Sequence, residues 1–173
     1  MSVVPINIRP HLVPYFFKEF DGQQGVYNGK NIKSVKVATG SSIGKWFQLF
    51  MLQVSVPGIE VANGYYNIFL SIDENATDGE KYSGNYYRYE TSPRDFIALP
   101  EDVNKALNEL FEDIFRMGFI SFMDGYMVKV KKPKFGDITR GIDEFIDKYD
   151  LLEVGLTPES MRQLYAREKK NLV

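Results

Sequence analysis

Between residues 100 and 123 apolar side chains recur every three or four positions. Val103, Ala106, Leu107, Leu110, Phe111, Ile114, Phe115 and Phe122 fall on one broad arc, and Lys105, Asn108, Glu109, Glu112 and Asp113 on the opposite one. That spacing predicts a long amphipathic helix. Pro100, Glu101 and Asp102 suit its first turn, and Asp124-Gly125 is read as its stop. A second periodic segment runs to about Tyr149, with Asp137 or Thr139 as cap and Ile142, Phe145 and Ile146 inward. Thr157-Pro158-Glu159-Ser160 opens a third helix, whose apolar stripe is Met161, Leu164 and Tyr165 and whose end is basic through Arg162, Arg167, Lys169 and Lys170. Joined by 150–156, these two short helices predict an αα-hairpin. Tyr15–Phe20 is a further short helix candidate.

Elsewhere the pattern is that of strands. Val35 and Val37 alternate with Ser34 and Lys36, and Tyr66, Ile68, Leu70 and Ile72 form one apolar face. Trp46 to Val56 is apolar on both faces, which predicts a central strand ended by Pro57-Gly58. Asn63-Gly64 marks a turn, and Tyr86–Tyr89 a short strand. Tyr126, Val128 and Val130 alternate with Met127, Lys129 and Lys131, predicting a last strand with a basic outer face. Residues 22–31 and 73–85 read as loops.

Pro5, Pro10 and Pro14 predict an extended arm over residues 1–14. Its Val3, Val4, Ile6 and Ile8 cannot be buried within the arm, so it lies on its own domain or on a neighbour. The expected fold is α+β. A mainly antiparallel four- to five-stranded sheet packs on one long amphipathic helix, with an extended N-terminal arm and a C-terminal helical hairpin. The expected divisions are 1–30 (arm and short helix), 31–135 (α+β core) and 136–173 (hairpin).

Composition narrows the function classes. The chain has 173 residues, 21 Lys+Arg, 23 Asp+Glu, one His and no Cys, with a formal net charge of -2. Near-balanced charge excludes a uniformly basic nucleic-acid coat but leaves room for a local basic patch. Without cysteine there is no disulfide framework, thiolate metal site or Cys nucleophile. A single His leaves little for imidazole metal sites or a Ser-His-Asp triad. No secretory signal pattern opens the sequence, and no apolar run is long enough for a membrane-spanning helix. The expectation is a soluble chain that is not an enzyme and has no cofactor, metal, membrane or small-molecule partner.

The motifs with chemical potential each have a plainer account. Asp73, Asn75 and Asp78-Gly79 miss the ligand spacing of a calcium loop. Gly40–Lys45 lacks the register of a phosphate-binding loop and is read as a hairpin turn. His11 has no acidic neighbour in sequence. Glu109, Glu112, Asp113, Asp143, Glu144 and Asp147 are spaced as solvated helix faces rather than as a catalytic pair.

Two patterns point to partners. Lys129, Lys131, Lys132 and Lys134 form the densest basic cluster, flanked by Tyr126 and Phe135, and Arg162 on the last helix adds to it. They make nucleic acid the alternative partner. Tyr and Phe together number 24, and clusters such as Tyr65-Tyr66 and Tyr86–Tyr89 put aromatics on both strand faces. Surplus aromatics of that kind serve interfaces. The expected protein-interface residues are Ile6, Ile8, Tyr65, Tyr87, Tyr89, Met161 and Tyr165.

The stretch Ile142-Asp143-Glu144-Phe145-Ile146-Asp147-Lys148-Tyr149-Asp150-Leu151, with Ser160-Met161-Arg162-Gln163-Leu164-Tyr165, resembles C-terminal segments of small structural and accessory proteins of tailed bacteriophages, including crAss-like phages and related mobile elements. The resemblance carries over no catalytic residue. The resemblance implies a virion or bacterial-cytoplasm setting. The leading expectation is a non-enzymatic assembly subunit of a capsid or tail, joined to other protein subunits in a homo-oligomer or larger assembly. The alternative is a nucleic-acid-binding accessory protein.

Overall fold

A computed structural model of the chain describes residues 2–20, 22–38, 41–50, 52–54, 68–72, 96–130 and 136–171. The fold is α+β, with a four-stranded sheet, a two-stranded sheet, one long helix and C-terminal helices. The chain divides into two compact units: residues 1–9 with 16–108, and residues 10–15 with 109–173. The expected divisions near 30 and 135 do not mark these units, because the first residues of the chain pair with strands far along it.

In the first unit β1 (Ser2–Ile6), β5 (Ile68–Ile72), β3 (Lys30–Val37) and β2 (Gly22–Tyr27) make the larger sheet in that spatial order. Two of its pairings are antiparallel, and β3–β5 is parallel. The register aligns Val4 with Leu70 and Leu70 with Val35, and all three are buried. Ile6 sits opposite Ile68 in the next buried row. Alternation places Ser34 and Ser71 on the reverse face, where their buried hydroxyls hydrogen-bond each other. Tyr27, in ring contact with Phe69 and Phe96, lies in the same unit.

The N-terminal arm is therefore an edge strand of its own sheet. Pro5 is tolerated there because an edge position need not donate to a second neighbour. Residues 22–31 form a hairpin rather than a loop. Asn28 and Gly29 both take positive φ, 47° and 74°, as a two-residue hairpin turn requires.

The stretch expected as a central strand begins instead as α2 (Ser42–Phe50) and only then becomes β4 (Leu52–Val54), which pairs with β6 (Phe96–Ala98). Ser41 decides this locally. Its Oγ accepts the Gly44 N–H at 3.0 Å, an N-cap that starts a helix where a hairpin turn was expected. A run apolar on all sides does not distinguish strand from helix, and Phe47, fully buried, supplies the inward face.

The helix α1 (Leu12–Glu19) starts three residues earlier than expected, since Pro14 falls in its first turn, where a missing N–H costs nothing. α3 (Glu101–Lys129) has 29 residues. Val103 and Leu107 are its buried residues in the first unit, and Phe111, Phe115, Phe119 and Met123 those in the second. It passes through Asp124-Gly125, so the expected strand over 126–131 is helix up to Lys129. A glycine costs a helix only ~1 kcal/mol. Packing outweighs that here, because Met123 and Tyr126 both lie against Gly141 of the next helix.

That helix, α4 (Asp137–Tyr149), has the expected boundaries, but its N-cap is Gly136 at φ 107° rather than Asp137 or Thr139. Asp137 occupies the first helical position, where its charge complements the helix dipole. After a 3-10 turn (Leu151–Val154), α5 (Pro158–Asn171) opens with a reciprocal cap. Ser160 N–H donates to Thr157 Oγ1 at 3.2 Å, and Thr157 N–H donates to Ser160 Oγ at 3.1 Å. Phe145 centres this unit, with ring centroids of Tyr149, Phe119 and Phe122 at 4.7, 4.9 and 5.2 Å. No helix of the described residues is long and apolar enough to cross a membrane.

Candidate interaction surfaces

Burial separates the expected interface residues into those this chain already covers and those it leaves open. Ile6 and Ile8 are 1% and 3% exposed, enclosed in the first unit, and Met161 is 1% exposed in the second. All three are covered within this chain. An apolar stripe marks what must be covered without saying which chain covers it. Tyr165 is half-buried, edge-on to Phe119 at 6.2 Å, with Lys169 Nζ 5.7 Å above its ring. Tyr65, Tyr87 and Tyr89 lie outside the described residues.

The open apolar surface lies where the sequence did not place it. On α2, Leu49 is 70% exposed and Phe50 37%, and Phe50 meets the half-buried Trp46 at a ring distance of 5.0 Å. The cause is the helix period. Phe47 turns inward, so Leu49 and Phe50 of the same helix face outward. On α3 the exposed large apolar residues are Leu110, Met117 and Val128.

Of the basic residues, Lys131, Lys132 and Lys134 lie outside the described residues. Lys129 is exposed at the end of α3, on a helix instead of the expected sheet edge. Arg162 is tied to its own chain. Its guanidinium ion-pairs with Glu159 at 2.6 Å and reaches Thr139 Oγ1 at 3.4 Å. Lys169 donates to Asp124 at 2.6 Å, and that hydrogen bond holds its pKa above the ordinary lysine value. Desolvation raises the Tyr126 pKa, and the nearby Glu144 and Asp137 carboxylates add to the effect.

His11 has the acidic partner that its sequence neighbours do not provide. Its Nε2 is 3.0 Å from Glu112 Oε2, and its ring meets Phe115 edge-on at 5.1 Å. Glu112 Oε1 lies 3.4 Å from Arg116 Nε, an ion pair without hydrogen-bond geometry. The contact ties the segment before α1 to α3. Among the described residues no three His, Asp or Glu side chains converge as a metal site would need. No family model, curated protein or solved structure matches the chain.

Proposed function

We propose that this chain is a non-enzymatic structural subunit that acts by protein–protein contact, and specifically an assembly component of a tailed-phage particle. The observation that carries the reading is the α2 face. Leu49 and Phe50, with the half-buried Trp46 against Phe50, present apolar surface that the core of the described residues does not take up. Aromatic and aliphatic side chains grouped on one helix are the usual anchors of an interface, and covering them contributes roughly 25 cal/mol per Å² of apolar area. The resemblance of 142–151 and 160–165 to phage structural and accessory proteins supplies the setting.

The test is light scattering after size exclusion, comparing the unaltered chain with Leu49→Asp. Leu49 makes little contact with its own unit, so the variant keeps its circular-dichroism spectrum. The reading expects self-association, or co-sedimentation with particles, that the substitution abolishes. A monomer whose behaviour Leu49→Asp leaves unchanged overturns it. Salt-sensitive retention of nucleic acid by such a monomer would favour the nucleic-acid reading instead.

A further inference from the structure

We infer that the outer edge of β2 pairs with the same edge of a second copy of this chain, antiparallel and about a two-fold axis at Gln24, so that two four-stranded sheets become one. This rests on the assembly reading and deepens it by naming a partner and a surface.

The β2–β3 register fixes which backbone groups are open. Asn28 and Gly29 form a two-residue turn, so Tyr27 and Lys30 are the hydrogen-bonded pair beside it. Bonded and non-bonded pairs then alternate, and Gly25–Ile32 and Gln23–Ser34 are bonded as well. Gly22, Gln24 and Val26 therefore turn their N–H and C=O groups away from β3. All three residues are exposed, and among the described residues no strand lies beyond them.

Edges that must stay unpaired carry charge, proline or a bulge. β1, at the other end of the sheet, has Pro5. β2 reads Gly-Gln-Gln-Gly-Val-Tyr, without charge or proline, and its register with β3 runs unbroken from Gly22 to Tyr27.

Self-complementarity names the occupant. A two-fold axis at Gln24 sets Gln24 opposite Gln24 of the second copy and Gly22 opposite Val26 of the second copy. A carboxamide both donates and accepts, so it is its own complement. Val26, 62% exposed, meets a position where the Lys33 stem and Phe17 fill the space a Cβ would take, and it packs on their carbons. Each opposed pair exchanges two backbone hydrogen bonds. The Lys33 ammonium lies above Phe17 of its own copy, and its counterpart stands three strand spacings away, about 14 Å, beyond the Debye length of about 8 Å. Both copies use the same patch, as a closed two-fold dimer requires. A strand of other sequence would gain the backbone bonds without these matches.

Sedimentation velocity tests this with Gln24→Lys, with Gln24→Glu and with an equal mixture of the two. The position is exposed on an edge, so both variants should keep the unaltered chain's circular-dichroism spectrum. The expected result is self-association that each variant weakens ~10-fold or more, since like charges then stand directly opposite, and that the mixture restores. Hydrogen exchange on the unaltered chain needs no variant. The amides of Gly22, Gln24 and Val26 should exchange more slowly in the associated chain than after dilution to monomer. Variants that associate like the unaltered chain, a mixture that stays apart, or edge amides that exchange alike before and after dilution overturn the inference. If Leu49→Asp abolishes association while the Gln24 variants do not, the assembly reading stands and this edge falls. A chain that is monomeric at every concentration also overturns the inference, and co-sedimentation with particles then decides the assembly reading.

Discussion

The imidazole of His11 and the carboxylate of Glu112 meet at 3.0 Å although 101 residues separate them in the chain. Both side chains are largely shielded, at 15% and 12% exposure, so water competes poorly for the contact. It ties the turn before α1 to α3. A double-mutant cycle with His11→Ala and Glu112→Ala should give a coupling of about 1 kcal/mol in urea unfolding. A coupling of zero would mean that the two side chains are neighbours that do not hold each other.

Gly118 sits in the middle of α3, where alanine would ordinarily stabilise a helix by up to ~1 kcal/mol. Here the sign should reverse. A Cβ at this position would collide with the hydroxyl of Tyr15. Overpacking costs typically 1–3 kcal/mol, so Gly118→Ala should lower the urea midpoint. Adding Tyr15→Phe, which removes the colliding oxygen, should recover part of the loss. A stabilised Gly118→Ala protein would show that α1 does not press on α3 here.

Phe145 and Leu49 make a paired prediction about what holds the fold and what does not. Phe145 is fully buried among Phe119, Phe122 and Tyr149, and Phe145→Ala should cost about 3–5 kcal/mol. Leu49→Ala, on the open face of α2, should stay within about 0.5 kcal/mol of the unaltered chain. Equal losses at the two positions would mean that α2 is covered in the isolated chain.

The helices were the most legible part of the sequence. Ile142, Phe145 and Ile146 announce α4, and the Thr157-Pro158 pair announces α5, because caps and helical period are local signals. α2 was misread because Trp46–Val56 is apolar on every side, leaving Ser41 as the sole cue. The β2–β3 hairpin was missed because Gly22, Gln23, Gln24 and Gly25 show no alternation, although Asn28-Gly29 carried the turn. The candidate surface was harder still. Whether Ile6 or Leu49 is covered depends on contacts far along the chain, and so does the pairing of His11 with Glu112. No local pattern encodes any of these.

Alkaline pH should loosen the second unit, through two groups that favour their protonated forms when folded. Desolvation, reinforced by Glu144 and Asp137, raises Tyr126 above its ordinary 10.0, and the hydrogen bond to Asp124 raises Lys169 above 10.5. A group whose pKa rises on folding stabilises the fold fully below its unfolded value and loses that contribution as pH climbs through the folded value. Stability should therefore be flat below pH 10.0 on account of these two groups and fall above it. Tyr126→Phe and Lys169→Met should each flatten the decline, as urea midpoints measured across the alkaline range would show. The phenolate difference spectrum between the unaltered chain and Tyr126→Phe should place this ionisation above that of a free tyrosine. An ionisation at or below the free value would remove the basis for the alkaline loss at Tyr126.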